Sequence, residues 1–116
     1  RKELKVMSYL KNGKNKRKFD IDFEGKEFKS LGDILGETLI ISGIVKIKTR
    51  NGIKSVWEFV NYSDNLFWGN SILDTLADEI LEDDDVVNAI KEGKVKIKLY
   101  SKVSKNGREY IGYTEV

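Results

Sequence analysis

The feature that most constrains this chain is a change of hydrophobic period at residue 70, with alternating segments on both sides of it. From Thr38 to Lys48 the sequence is rich in β-branched residues, with Leu39, Ile41, Val45 and Ile47 at one parity and Lys46 and Lys48 at the other. A half-buried strand reads this way. Gly43 interrupts it, where glycine weakens a strand and marks a bend or bulge. Arg50-Asn51-Gly52 supplies a hairpin turn. A second strand follows over Ile53–Tyr62, then a turn at Ser63-Asp64-Asn65 and a short third strand, Leu66-Phe67-Trp68. After Asn70-Ser71 the apolar residues Ile72, Leu73, Leu76, Ala77, Ile80 and Leu81 form one stripe of a helix. Asn70 or Ser71 caps its start, with Asp74 completing a capping-box-like pattern. Asp83-Asp84-Asp85 ends that helix or opens a second short one through Ile90, and Gly93 closes the region. Lys94 to Leu99 alternates again, Asn106-Gly107 is a second hairpin turn, and Glu109–Val116 is the last strand.

The order from residue 37 is three strands, a helix and two strands. That order predicts a mainly β fold, a five-stranded oligonucleotide-binding (OB) barrel over residues 37–115 with one α-helix between its third and fourth strands. Residues 1–36 form an N-terminal β extension of the same single domain. Within it the sequence predicts a short strand over Leu4–Leu10 and a basic loop through Lys18. A strand at Phe19–Phe23, a turn at Glu24-Gly25-Lys26, a returning strand at Glu27–Lys29 and a loop or helical turn over 30–36 follow.

Composition removes most catalytic chemistry. The chain has no cysteine and no histidine, so disulfides, thiolate or imidazole metal sites and Ser-His or Cys-His nucleophile pairs are excluded. The acidic run Glu82–Asp85 lacks the glycine-bearing spacing of a calcium loop, so no cofactor or metal is expected and the chain is not read as an enzyme. The longest apolar stretch, Leu39-Ile40-Ile41, falls far short of the roughly 20 residues that cross a bilayer. A cytoplasmic protein without a membrane partner is the expectation.

The net charge of +2 conceals strong segregation. Residues 1–18 carry a balance of +7, residues 70–93 of −7, and residues 94–116 of +4. OB barrels bind oligonucleotides across strands two and three and the loops joining strands one to two and four to five. Both of those loops are basic here. The candidate nucleic-acid residues are Lys46, Lys48, Arg50 and Lys54 around the first loop and Lys105 and Arg108 in the second. Trp57, Tyr62, Trp68, Tyr110 and Tyr113 are the candidate stacking rings. Cations that track phosphates, interleaved with rings that stack on bases, are what single-strand binding requires. The parity of Trp57 and Phe59 against Glu58 favours rings pointing into a core, which competes with a stacking role for Trp57. Lys94, Lys96 and Lys98 divide evenly between phosphate contacts and a solvent coat that discourages edge pairing.

Ile41–Lys48, the aromatic second strand, Ser71–Leu76 and Lys105–Tyr110 carry a resemblance. Through these stretches the chain resembles the single-stranded DNA-binding proteins of phage and mobile-element replication systems over about two-thirds of its length. The resemblance implies cooperative coating of single-stranded DNA during replication or recombination, together with homo-oligomerisation. Bacterial relatives commonly end in an acidic C-terminal tail, whereas the sequence stops at Tyr113-Thr114-Glu115-Val116, with the tail either missing or removed, so tail-mediated partner binding is not carried over. DNA against RNA stays open, and so does a basic protein partner at the acidic helix. The alternative reading is a protein-interaction module, an inhibitor or assembly subunit on the same barrel.

Overall fold

The computed structural model describes residues 18–116. The expected strand at Leu4–Leu10 and all but the end of the basic loop lie outside them. In chain order the elements are β1 (Glu27–Lys29), a 3-10 turn (Leu31–Ile34), β2 (Thr38–Thr49), β3 (Gly52–Phe59), a 3-10 turn (Val60–Tyr62), β4 (Asn65–Trp68), α1 (Ser71–Leu81), α2 (Asp84–Lys91), β5 (Lys96–Val103) and β6 (Glu109–Glu115). The acidic run thus opens a second helix: Asp83 caps α2 by accepting from the backbone N–H groups of Asp85 and Val86.

The strands form one six-stranded sheet in the order β1-β4-β3-β2-β5-β6, where a five-stranded barrel was expected. Every neighbouring pair is antiparallel except β1, which adds in parallel to the edge of β4. β2 shapes the sheet. Its first residues pair with β5 (Leu39 opposite Ile97), and from Ile41 onward it pairs with β3. One strand serving two partners in succession curls the sheet into a half-barrel, and its register shifts between Ile41 and Gly43, a bulge of the kind that raises local twist.

That bulge reverses the parity expected for β2. Leu39 and Ile41 point to the inner face, but beyond Gly43 it is Ile44 that joins them, while Val45 and Ile47 turn outward. The inner face packs Leu39, Ile41, Ile44, Trp57, Phe59 and Phe67 against Leu73, Ala77, Ile80, Val87 and Ile90 of the two helices. A smaller cluster of Ile21, Val45, Val56 and Leu66, flanked by Phe23 and Ile47, covers the outer face of β2–β4.

Residues 19–23 supply Ile21 and Phe23 to that second cluster. They alternate in burial as predicted, but they form no strand. Phe19 packs into the main core and Ile21 lies over the bulge, where a Cβ on Gly43 would sit 3.1 Å from Ile21 Cγ1. The missing side chain of Gly43 makes room for this segment. Lys26 then pairs with Glu58, mostly buried, whose other oxygen accepts from the Ser42 hydroxyl at 3.2 Å. A carboxylate that parity alone would leave in solvent is covered and neutralised.

Asn70 joins the helix to the far strand. Its Oδ1 accepts from Leu73 N at 2.9 Å, capping α1, while its Nδ2 donates to Ile111 O of β6 at 2.8 Å. α1 is also fixed to β3. Asp74 Oδ1 accepts from Ser55 N at 2.8 Å and from Ser55 Oγ at 2.5 Å, and Ser55 Oγ accepts from Trp57 Nε1 at 2.9 Å. Ser55 is fully buried and these bonds satisfy it. No helix among the described residues is long and apolar enough to cross a membrane.

Candidate nucleic-acid interface

The outer face of the β5–β6 hairpin is the place where cations and rings converge without carboxylates. In β5, Ile97 and Leu99 are buried, so Lys96, Lys98, Tyr100 and Lys102 project to the opposite side. Residues of one parity repeat about every 6.8 Å along a strand. Across the ladder, Thr114 faces Lys98, Gly112 faces Tyr100 and Tyr110 faces Lys102. Glu109 and Glu115 take the other parity, opposite Val103 and Ile97. Among the described residues Lys96, Lys98 and Lys102 enter no ion pair.

Gly112 sets the posture of Tyr100. A Cβ at that position would stand 2.7–2.9 Å from the ring and hydroxyl atoms, so the ring lies flat over the glycine. Lys102 Nζ rests 5.2 Å from the ring centroid, within range of a cation–π attraction. Gly112→Ala is therefore expected to lift Tyr100 off the sheet at a cost of about 1–3 kcal/mol, read as a loss of the upfield shift of Gly112 protons beneath the ring. Tyr110 is 38% exposed on the same face.

The turn beyond this hairpin carries Lys105 and Arg108, both exposed. It is closed by Ser104 N to Arg108 O at 2.8 Å and Gly107 N to Ser104 O at 2.9 Å, with Gly107 at φ +81°. The other turn, carrying Arg50, is braced by Thr49, whose hydroxyl donates to Gly52 O at 2.7 Å. Only Gly52 adopts a positive φ there, since no non-glycine residue does. The pairing of Thr38 with Lys98 and of Thr49 with Gly52 sends the two turns away from opposite ends of β2. They do not form one basic pole.

The other sequence-predicted residues divide. Lys48 and Arg50 are exposed and Lys54 is half-buried. Lys46, by contrast, is on the inner side after the bulge, where its Nζ is 2.9 Å from Asp78 Oδ1 and donates to Asp74 O at 3.4 Å. Its charge holds α1 to the sheet. Trp57 is a correction: the ring is fully buried, with its one polar atom bonded to Ser55, and offers no face to a base. Phe59 is buried beside it. Tyr62 packs edge-on against Phe67 and donates its hydroxyl to Glu37, which raises the phenol above its ordinary pKa, with burial adding to the shift. Tyr113 packs half-buried against the main core, on the face away from Tyr100. Trp68 is 38% exposed on the outer face of β4, stacked on Phe28 with centroids 4.9 Å apart.

Of the proposed set, then, the structure brings Tyr110, Lys105 and Arg108 to one hairpin, and it adds Lys96, Lys98, Tyr100 and Lys102 there. Sequence reasoning placed Lys98 and Lys102 on the strand leading into the second loop and left Tyr100 out. The sequence did not carry this: a two-residue Asn106-Gly107 turn would set Tyr113 opposite Tyr100, whereas the longer connection through residues 104–108 puts Gly112 there. Among the described residues no cluster of acidic side chains is placed to hold a metal ion. No protein-family model, curated protein or solved structure matches this chain.

Proposed function

We propose that the chain is an OB-type barrel that binds single-stranded DNA without cutting it and with little sequence preference, as a coat for strands exposed in replication or recombination. The observation that carries this reading is the β5–β6 face: three lysines, two tyrosines and no carboxylate on one side of a hairpin. Lysines spaced along a strand suit a phosphate backbone, and the exposed ring of Tyr110 suits any base, since stacking does not depend on base identity. The OB assignment draws on β2 shared between β3 and β5, the β2–β3–β4 meander, and the helices between β4 and β5. β1 is then an addition to that plan on the edge of β4. A protein-docking role draws on a separate surface between the helices and β6.

Fluorescence anisotropy of a labelled dT oligonucleotide tests this directly. Saturable binding at low salt that weakens steeply as salt rises is the expected result. An absence of binding at low salt contradicts it.

A further inference from the structure

A groove of about 560 Å³ runs between α1, α2 and the inner side of β5–β6. Its floor is apolar, with Leu76, Val86, Val95 and Tyr113 each only partly covered. Its rim is acidic: Glu79, Asp83, Asp85 and Glu115. Lys94 is the lining cation, and its Nζ is 2.9 Å from Glu92. Among the described residues none of the four rim carboxylates enters an ion pair, and Asp83 alone is occupied, as the cap of α2. A purely cationic ligand would leave the floor wet, and a purely apolar one would strip water from the carboxylates without replacing it. The occupant must be cationic and apolar together.

We propose that this groove docks the chain's own basic N-terminal segment, residues 1–17. By sequence that segment holds seven Lys/Arg against Glu3, and it carries Leu4, Val6 and Leu10 at alternate positions. It joins the described structure beside the rim. Lys18 Nζ is 2.9 Å from Asp84 Oδ1, between rim residues Asp83 and Asp85, and Lys91 Nζ lies 5.8 Å from the ring of buried Phe19. Seventeen residues reach up to about 56 Å, and a tether of that length keeps the segment at an effective concentration far above that of free protein. The charges of the two parts, +7 over residues 1–18 and −7 over 70–93, then offset each other across one surface. This inference does not depend on nucleic-acid binding.

Zero-length carbodiimide crosslinking of the full chain, dilute, at low salt and without nucleic acid, is the test. The expected product is an amide between a lysine of residues 2–16 and Glu79, Asp85 or Glu115, in a species of single-chain mass. A Leu4→Ser/Val6→Ser/Leu10→Ser variant keeps every lysine and carboxylate, and its groove crosslinks should fall severalfold. Three results overturn the proposal. In the first, these lysines crosslink only elsewhere; in the second, the groove crosslinks occur only at two-chain mass and so come from a second copy. Yields that do not change in the variant would show charge attraction without docking.

Discussion

Trp57→Ala is expected to destabilise the protein by about 3–5 kcal/mol, the range for removing a large ring from a packed interior. The ring lies opposite Ile44 on one neighbouring strand and Phe67 on the other, so its loss opens a cavity in the middle of the inner face. Neither neighbour can collapse into the space without moving its strand. Its Nε1 also anchors Ser55, and with it the Asp74 contact that seats α1. Urea denaturation followed by circular dichroism measures the effect, with the midpoint falling and the slope unchanged. A stable Trp57→Ala variant that had lost DNA binding would instead return this ring to the ligand.

Gly69→Ala is expected to cost about 3 kcal/mol, although it adds a single methyl group. A Cβ at Gly69 would stand 2.1 Å from Ser55 Oγ, 2.9 Å from Trp57 Nε1 and 3.2 Å from Asp74 Oδ1. Ser55 cannot swing aside, because its hydroxyl donates to Asp74 and accepts from Trp57, and Gly69 N itself donates to Ser55 O at 2.9 Å. The methyl therefore breaks a buried network and strands its donors. A double-mutant cycle checks the cause. Ser55→Ala is destabilising alone, but combined with Gly69→Ala it should cost less than the two single losses together. Strict additivity would place the strain elsewhere.

Much of this fold was legible because period and turn chemistry are local. The alternation of Lys96–Leu99, the Asn70 cap and the change of period after it give the elements and their order. What local pattern could not supply was the consequence of the Gly43 bulge. A glycine in a strand signals a hinge, but whether the strand slips one residue there depends on β3 and on Ile21 filling the space. That slip carries Ile44 inward, turns Val45 outward, and puts Lys46 beside Asp78 of α1 instead of in solvent. Residues 19–23 show the converse. Their period of two reports alternate burial, Phe19 in the main core and Ile21 and Phe23 on the outer face, which a segment can have with no ladder partner. β1 is three residues at a sheet edge, too short for its parallel pairing to be read from sequence.

The site was legible in kind more than in place. Charge and aromatic content pointed to the strands around the first Asn-Gly turn, but the core claimed Trp57, and α1 claimed Lys46. The lysines of β5 read equally as a solvent coat. The ladder sets Tyr100 on Gly112 and Tyr110 beside Lys102, and the proposed interface rests on that arrangement.

The slope of log affinity against log salt for a dT oligonucleotide tests the β5–β6 face most directly, comparing the natural chain with Lys96→Ala/Lys98→Ala/Lys102→Ala. Each phosphate contact on a single strand contributes about 0.7 to the slope, so the triple variant should lose about 2 units of it. Its urea midpoint should stay in place, because all three side chains are exposed. Lys46→Ala should leave the slope where it was. A triple variant that binds with the slope of the natural chain would contradict the assignment of this face.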